Sequence, residues 1–315
     1  MKALRDMLRP GRPRKARPMP TDRVTAEQPG HLWALADQLP PLLPINHEVR
    51  GQLAGEQRAK RLGAGLDFEQ LRPYQPGDAP RSIDWRASAR LGEAYVRLYR
   101  QTQQAGCTVV VDRRPGMWFG TRRRLKIVQA LNLAHLYVSA ANRQGMPVGL
   151  MAFPDQGEPL PPSTDRKQLA VRVDALGERV DGDYTPFAAV LEELAHQQRV
   201  PGSLVILISD FHDLDERTVN ALRQLSLTQV LKGFLIRDPA EIELPDVGVV
   251  TLRDAAGRTS RVDTRGSALR NARRQQAQDR EALCRQAFHE IGARMLAIQT
   301  DEQMDQLLPR LIQET

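Results

Sequence analysis

Hydrophobic and polar residues follow one another in regular blocks from Thr108 onward. Short β-branched runs are separated by segments in which apolar residues recur every three or four positions. The first apolar run, TVVVD, ends at Asp112, and the most apolar run, SLVILISD, ends at Asp210. This order is typical of βαβ units and predicts a doubly wound, mainly parallel α/β sheet of about five or six strands.

The same pattern gives bounds for the elements of this sheet. Apolar spacing predicts a helix from about Thr121 to Arg143, a second one capped by Thr164 and Gly177, and a third with Pro186 in its first turn. After Asp210 we expect, in order, a helix at about 215–226, a strand at 229–236, a hairpin around 256–257, a long polar helix to about 292, a strand at 295–300 and a last helix.

The segment upstream of the sheet has a different pattern. Pro76 and Gly77 predict a tight turn, because glycine readily adopts the positive φ of a type II turn. Apolar and polar residues then alternate over 83–86 and again over 95–99. The alternation predicts two strands joined by a short helical or turn segment.

Charge divides the chain unevenly. The first twenty residues contain seven basic residues and one acidic residue, whereas the rest of the chain is nearly neutral, although the formal net charge is +7. Prolines interrupt this basic stretch, so it predicts a disordered arm. We therefore divide the chain into a basic arm (1–30), an upstream segment (31–105) and an α/β domain (106–315).

Two absences in the sequence narrow the class of protein. No apolar run reaches the roughly eighteen residues that a membrane helix needs. Cys107 and Cys284 are the two cysteines, and they form no CxxC pair typical of zinc sites. We expect a soluble protein of the reducing cytoplasm that has no metal and no cofactor.

Residues 63–85 read GAGLDFEQLRPYQPGDAPRSIDW, and this run carries the strongest motif in the chain. It resembles the signature of the domain-of-unknown-function family 58 (DUF58). The signature positions that we take as the family motif are Arg72, Tyr74, Pro76, Gly77, Asp78, Arg81, Asp84 and Trp85. Four charged residues of this stretch could contact a partner or form an ion-pair lattice: Asp78, Arg81, Asp84 and Arg86. We favour the structural role, because Gly77, Ile83 and Trp85 beside them have turn and packing roles.

The resemblance implies a von Willebrand factor A-like fold and partnership with a MoxR-type AAA+ ATPase. Proteins of that fold often carry a metal-ion-dependent adhesion site, written D-x-S-x-S, with a threonine and an aspartate from later loops. Asp112, Thr185 and Asp210 match the first aspartate, the threonine and the last aspartate. Arg114 and Gly116 stand where the two serines would be.

The missing serines argue against a bound metal. Magnesium needs about six oxygens at roughly 2.0 to 2.1 Å, and two protein oxygens are absent. A guanidinium about 4 Å from a divalent ion would cost about 8 kcal/mol at an effective dielectric constant near 20. We therefore predict a degenerate metal site, in which Arg114, or Arg113 beside it, pairs with Asp112 and Asp210. The alternative is that both arginines point into solvent.

Five arginines are expected at the strand-end edge of the sheet: Arg113, Arg114, Arg122, Arg123 and Arg124. Cations at a helix N-terminus oppose the helix dipole, so the cluster could mark an acidic partner surface or an anion site. The alternative is an ordinary solvated face, which is the common outcome for a run of charges.

The sequence lacks the motifs of several enzyme classes, since we find no G-x-S-x-G elbow, no phosphate-binding loop and no H-E-x-x-H pair. We predict a non-catalytic adaptor with a chaperone-like or complex-maturation role beside the MoxR-type ATPase. The alternative function is anion or nucleic-acid binding through the basic arm and the five arginines.

Overall fold

The computed structural model describes residues 27–43, 66–75, 83–101, 105–154, 161–179, 185–197, 200–253 and 259–313, with the backbone alone for 66–70, 97–101 and 252–253. The strands within these ranges are β1 (Leu66–Pro73), β2 (Tyr95–Gln101), β3 (Cys107–Asp112), β4 (Val148–Phe153), β5 (Leu204–Ser209), β6 (Val230–Arg237), β7 (Val249–Arg253), β8 (Thr259–Asp263) and β9 (Arg294–Gln299). The helices are α1 (Pro29–Ala36), α2 (Trp85–Leu91), α3 (Lys126–Arg143), α4 (Arg166–Ala175), α5 (Phe187–His196), α6 (Glu216–Ser226), α7 (Pro239–Ile242), α8 (Ser267–Glu290) and α9 (Met304–Gln313), and a short 3-10 helix covers Pro115–Trp118.

The central sheet has five strands in the order β4-β3-β5-β6-β9. Every neighbouring pair in it is parallel, and Val111 of β3 lies opposite Ile208 of β5. This confirms the predicted α/β fold with a mainly parallel sheet. The chain moves from β3 to β4 on one side and later returns to β5 on the other side. Strand order therefore reverses between β3 and β5, where open sheets of this kind place their ligand sites.

Apolar residues bury both faces of this sheet. Val109 and Val111 point into a core that includes residues of α1, α3 and α9, whereas Val110 points into a second core with residues of α5, α6 and α8. All six residues of β3 and all six of β5 are buried. Continuous apolar runs are thus explained, because a parallel sheet covered by helices on both faces has no solvated side.

The structure corrects several predicted helix bounds. The helix expected from Thr121 begins at Lys126, because the Thr121 N–H and hydroxyl both donate to the carboxylate of Asp238 and hold the preceding residues in a turn. Asp165, rather than Thr164, caps α4 by accepting two backbone N–H groups. Helix α4 ends at Ala175, before the predicted cap at 177, and α5 begins directly after Pro186.

Of the two strands predicted in the upstream segment, one is confirmed and the other is wrong. Residues 95–99 lie in β2, but 83–86 do not form a strand, because the Asp84 carboxylate accepts the N–H groups of Arg86 and Ala87 and starts α2. A single bridge from Ile83 to Val96 is what remains of the predicted pairing. The partner of β2 is β1, which runs antiparallel to it. The turn predicted at 76–77 lies outside the described residues.

The later predictions agree with the structure. Helix α6 covers 216–226, β7 and β8 form an antiparallel hairpin, and α8 continues to residue 290. The hairpin turn at 256–257 lies outside the described residues. Among the helices that are described, none is both long and apolar enough to cross a membrane.

Candidate functional site

Two carboxylates lie at the carboxyl ends of neighbouring strands. Asp112 is the last residue of β3 and is fully buried, and Asp210 directly follows β5 with a side chain that is 12% exposed. They flank the position where strand order reverses. Buried carboxylates at one sheet edge repel each other unless positive groups lie beside them.

Arg114 supplies one of these positive groups. Its Nε lies 3.0 Å from Asp112 Oδ1 and its Nη2 lies 2.8 Å from Asp112 Oδ2, so the guanidinium and carboxylate planes meet through two parallel hydrogen bonds. The Arg114 N–H also donates to Oδ1 at 2.9 Å. The side chain of Arg114 is 6% exposed, which excludes the alternative that it points into solvent. Paired bonds of this kind are among the stronger polar contacts in proteins.

The other end of the Arg114 guanidinium contacts a different aspartate from the one predicted. Its Nη1 donates to Asp213 Oδ2 at 2.6 Å, and that same oxygen accepts the N–H of Phe187 at the start of α5. The guanidinium also lies over the ring of Phe153, 5.0 Å from its centroid. Arg114 therefore connects the end of β3 to α5 and to the loop after β5.

Lys126 neutralises Asp210. Its ammonium lies 2.8 Å from Asp210 Oδ2 and 2.8 Å from Glu241 Oε1, and its side chain is 2% exposed. Lys126 is the first residue of α3, a helix that is buried along most of its length, and its side chain reaches across the sheet edge to α7. The prediction that an arginine bridges Asp112 and Asp210 is wrong: each aspartate has its own cation.

Burial and pairing shift the pKa values of these groups. Burial raises the pKa of the Asp112 carboxyl, and Arg114 and the Ser209 hydroxyl oppose that rise. Burial lowers the pKa of the Arg114 guanidinium, but the hydrogen bonds and charges of Asp112 and Asp213 outweigh it and hold that pKa above its usual value. The guanidinium therefore stays charged.

The second pair behaves in the same way. Burial alone would raise the pKa of Asp210, but the Lys126 ammonium, with Arg114 and Arg280, lowers it below the usual value. Burial alone would lower the pKa of Lys126, but Asp210 and Glu241 raise it. Both groups are thus charged at neutral pH, and Lys126 is a poor candidate for a nucleophile or a general base.

Gly116 lies directly over Asp210. A Cβ built on Gly116 would lie 2.7 Å from Asp210 Oδ2, closer than such contacts occur. A serine at this position, as the D-x-S-x-S pattern requires, would displace the carboxylate from its place beside Lys126. The glycine is therefore required by the ion pair beneath it.

The threonine of the expected site makes no comparable contact. Thr185 is half-buried, two residues before Phe187, and its side chain forms no hydrogen bond with the described part of the chain. Ser209 supplies a hydroxyl instead, and its Oγ donates to Asp112 Oδ2 at 2.6 Å. That serine lies at the end of β5, outside the pattern that follows β3.

The residues present do not fit a divalent ion of the expected kind. The Asp112 oxygens accept hydrogen bonds from Arg114 and Ser209, and the Asp210 carboxylate contacts an ammonium. A magnesium ion needs about six oxygens around it and would lie next to two fixed positive charges. The guanidinium and the ammonium contact the carboxylate oxygens that would otherwise be free to bind a cation.

The five arginines do not form one exposed cluster. Arg113 is 5% exposed and its Nη2 donates to the carbonyl of Glu178, beyond the end of α4, so it does not take the place of a metal. Arg124 is also 5% exposed and contacts Glu27 and Gln129. These two arginines cannot offer a surface to an anion.

The other two arginines are at the surface. Arg122 pairs with Asp301 at 3.0 Å, and its side chain is 66% exposed. Arg123 is exposed and forms no ion pair with the described residues. All three arginines of the run precede α3, which begins at residue 126, so the predicted conflict with the helix dipole is weaker than expected.

The family motif is described in part. Asp84 caps α2, and Trp85 is 69% exposed, so the packing role predicted for Trp85 is wrong. Arg72 Nη1 donates to the carbonyl of Pro73, and the Tyr74 N–H donates to the carbonyl of Ala94. Residues 76, 77, 78 and 81 lie outside the described residues, and the choice between partner contact and scaffold remains a prediction.

Comparison with known proteins gives the family. Residues 70–283 match the family model described as "Protein of unknown function DUF58". The chain belongs to the DUF58 family. Uncharacterized proteins of Mycobacterium tuberculosis and Mycobacterium bovis are each 27% identical to this DUF58 chain over 266 residues, which cover 82% of this chain and 82% of the relative.

Sequence reasoning missed four residues of the site: Ser209, Asp213, Lys126 and Glu241. Lys126 carried a signal that could have identified it. It is the first residue of KIVQAL, where the helical spacing places it beside buried apolar residues, and a buried lysine requires a carboxylate partner. Asp213 and Glu241 carried no such signal, because loop and helix-end acids are usually solvated.

Proposed function

We propose that this chain is a non-catalytic interaction protein whose strand-end edge docks a partner protein without a bound metal ion. The observation that carries the proposal is the paired contact of Arg114 with Asp112, where the related adhesion fold would hold a cation. A guanidinium fixed by two aspartates keeps the loops after β3 and β5 in one arrangement. A docking surface built on them needs no ion to form.

A non-catalytic role is supported by the accessibility of the charged groups. Asp112 is fully buried and the Lys126 side chain is 2% exposed, so neither can reach a substrate in solution. Each is also neutralised by its neighbours. Catalysis needs a group that a substrate can reach, and both of these side chains are enclosed.

The exposed surface around the site is suited to protein contact. Pro115 begins the short 3-10 helix after β3 and is exposed, and Phe119, which directly follows that helix, is 39% exposed. Arg123 is exposed four residues after Phe119, and His212 is exposed in the loop after β5. An aromatic ring with charged neighbours is a common composition for the centre of an interface.

We propose a MoxR-type AAA+ ATPase as the partner, on the resemblance of the motif in residues 63–85. In this account the chain serves as an adaptor in a chaperone-like or complex-maturation assembly of the cytoplasm. The alternative, anion or nucleic-acid binding, has less support because Arg113 and Arg124 are buried.

Size-exclusion chromatography of the purified chain with the MoxR-type ATPase of the same organism tests the proposal. Without nucleotide, we expect one co-eluting complex both in magnesium and in EDTA. Phe119→Ser and Arg123→Glu should weaken that complex at least about tenfold if they lie at its centre. Leu227→Ser is the matched control, because Leu227 is 75% exposed but follows α6 at the opposite edge of the sheet.

Each negative outcome removes a different part of the proposal. A complex that forms in magnesium and dissociates in EDTA contradicts metal-independent docking. Failure to co-elute with the ATPase, with or without nucleotide, contradicts the partner. An equal effect of all three substitutions contradicts the assignment of the strand-end edge.

A further inference from the structure

A cleft separates α8 from the loop that follows β5, next to Asp210. Its volume is about 310 Å³. It opens at the same edge of the sheet as the Arg114 site, because Phe211 and His212 line it and directly follow Asp210. The size is suited to one large side chain, at the lower end of the volumes of ligand pockets.

The floor of the cleft is apolar. Phe211 and Cys284 are fully buried beneath it, Leu214 is half-buried and Leu283 is 54% exposed. Burial beneath the cleft raises the pKa of the Cys284 thiol to about 11, so the thiol behaves as an apolar group and not as a nucleophile. Covering Leu283 and this apolar floor with another apolar group is favourable, because it removes apolar surface from water.

Arg280 stands at the mouth of the cleft, where its charge helps to lower the pKa of Asp210, but no described carboxylate contacts it directly. Its Nη2 donates to the carbonyl of Phe211 at 2.9 Å, and its Nη1 lies 3.0 Å from His212 Nδ1. Neither partner supplies a negative charge. No described carboxylate lies within 4.0 Å of the guanidinium, and Asp279 at the outer edge accepts a hydrogen bond from Gln275 instead. A guanidinium has five N–H donors, so it can bind a further carboxylate.

The backbone keeps the cleft in this shape. Phe211 has a φ of 45°, which is unfavourable for a phenylalanine, so its surroundings must hold it there. Its ring packs edge-on against Phe187 and Phe288, and its N–H donates to Ser209 Oγ. The same serine hydroxyl donates to Asp112, so the cleft and the Arg114 site share a rigid support.

The wall formed by α8 is available to a partner. The helix has 24 residues and is therefore about 36 Å long, yet its buried residues, Cys284, Ala287 and Phe288, all lie near its C-terminal end. The preceding residues are mostly exposed and polar. A helix that is polar on all sides often bridges to another domain or protein.

We propose that this cleft binds a segment of the partner protein that carries a large apolar side chain next to a carboxylate. The apolar side chain covers Leu283 and the floor, and the carboxylate pairs with Arg280. This inference rests on the proposed docking function and names the chemistry of the partner at that edge.

Three capped dipeptides test the proposal on the full chain without any partner: acetyl-Phe-Glu-amide, acetyl-Phe-Gln-amide and acetyl-Ser-Glu-amide. Each is titrated to about 20 mM, because ligands of this size reach roughly millimolar dissociation constants. Methyl NMR signals of Leu214 and Leu283 report binding in the cleft. We expect the first dipeptide to shift both signals and to bind at least about fivefold more tightly than either of the others.

Two variants and a control separate the contribution of the Arg280 charge to dipeptide binding from that of the Leu283 side chain. The Arg280→Gln variant should bind acetyl-Phe-Glu-amide and acetyl-Phe-Gln-amide equally. Leu283→Ser should weaken the binding of both of these dipeptides. Arg285→Gln should keep the wild-type preference, because Arg285 is on the same helix with a 63% exposed side chain and does not line the cleft. Equal binding of the three dipeptides to the wild type overturns the proposal. So does the absence of a saturable shift, or a shift confined to signals outside the cleft.

The dipeptide titration and the chromatography fail independently. Selective dipeptide binding without co-elution of the ATPase would keep the cleft and remove that partner. Co-elution without selective dipeptide binding would keep the docking edge and remove the cleft as its anchor.

Discussion

The guanidinium of Arg114 meets the carboxylate of Asp112 side by side, with Nε 3.0 Å from Oδ1 and Nη2 2.8 Å from Oδ2. The two residues are two positions apart and enclosed between β3 and the loop after β5. A divalent ion would need the same carboxylate oxygens. The pair therefore occupies the carboxylate oxygens that a divalent ion at this edge would need.

Breaking this pair should destabilise the fold strongly. Arg114→Gln leaves the buried Asp112 carboxylate without its cation, which should lower the free energy of unfolding by about 3 to 5 kcal/mol. Chemical denaturation followed by circular dichroism measures the change. Arg122→Gln is the matched control, since its ion pair is exposed and should cost no more than about 1 kcal/mol. Equal losses in the two variants would contradict the role of Arg114.

A methyl group at position 116 should disturb the second ion pair. The Cβ of Gly116→Ala would lie 2.7 Å from Asp210 Oδ2 and force that carboxylate away from Lys126. We expect a loss of roughly 1 to 3 kcal/mol in unfolding free energy. Gly30→Ala is the control, because Gly30 lies in α1 with nothing within 4 Å of the added Cβ, and alanine should stabilise that helix slightly. A stable Gly116→Ala variant would show that the loop can move freely.

Lys126→Met should lower the stability of the protein at neutral pH. It should also change how that stability depends on pH. At neutral pH it leaves Asp210 without its nearest cation, at a cost of about 3 to 5 kcal/mol. In the wild type the pKa of Asp210 is lowered, so its contribution is present above the unfolded pKa and is lost as the pH falls through the folded pKa.

In that variant, burial of Asp210 is less opposed and its pKa rises, so protonation relieves the unpaired charge. The variant should recover stability relative to the wild type as the pH falls from about 7 to 5. Lys167→Met, at an exposed lysine of α4, should follow the wild type throughout. If the gap between Lys126→Met and the wild type stays constant over this range, Asp210 is not the group that Lys126 holds ionised.

His135 should make the protein less stable in mild acid. Burial lowers the pKa of this histidine, and the contact with Asp174 at 2.8 Å offsets it only partly because the Asp174 side chain is 57% exposed and screened by water. The unfolded chain then binds the proton more readily than the folded chain. Stability is present above the unfolded pKa and falls as the pH drops through it, at no more than about 1.4 kcal/mol per pH unit.

Melting temperatures of wild type and His135→Gln between about pH 7.5 and 5 check this expectation. The variant should lose less stability over that range, because the titrating group is gone. A wild type that gains stability on acidification, relative to the variant, would mean that Asp174 dominates and that the pKa of His135 is raised.

The sheet could be predicted from sequence because burial on both faces leaves no choice of residue type. Runs such as those ending at Asp112 and Asp210 contain almost no polar residue, and the structure places them side by side as β3 and β5. The strand expected at 83–86 was wrong because one capping carboxylate, Asp84, outweighs a two-residue alternation. Local hydrogen bonds of this kind compete with sheet pairing and are hard to recognise in a pattern.

The site was predictable only in its position. Strand ends and the D-x-R-x-G spacing identified Asp112, Arg114 and Asp210, but the partners of each charge come from α3, α7 and the loop after β5. Asp210 and Asp213 lie three positions apart after β5, and periodicity does not determine which of them Arg114 contacts. Long-range ion pairs need the fold to be known first.

Isothermal titration of the wild-type chain with magnesium and manganese tests the central claim most directly. The half-buried Glu27 and the exposed Asp305, which lie near His31, can give a weak heat. Asp112→Asn is therefore titrated in parallel to identify any heat that does not come from the site. We predict identical, non-saturating isotherms for both proteins. One-to-one binding in the micromolar range that disappears in Asp112→Asn would contradict the replacement of the metal by Arg114.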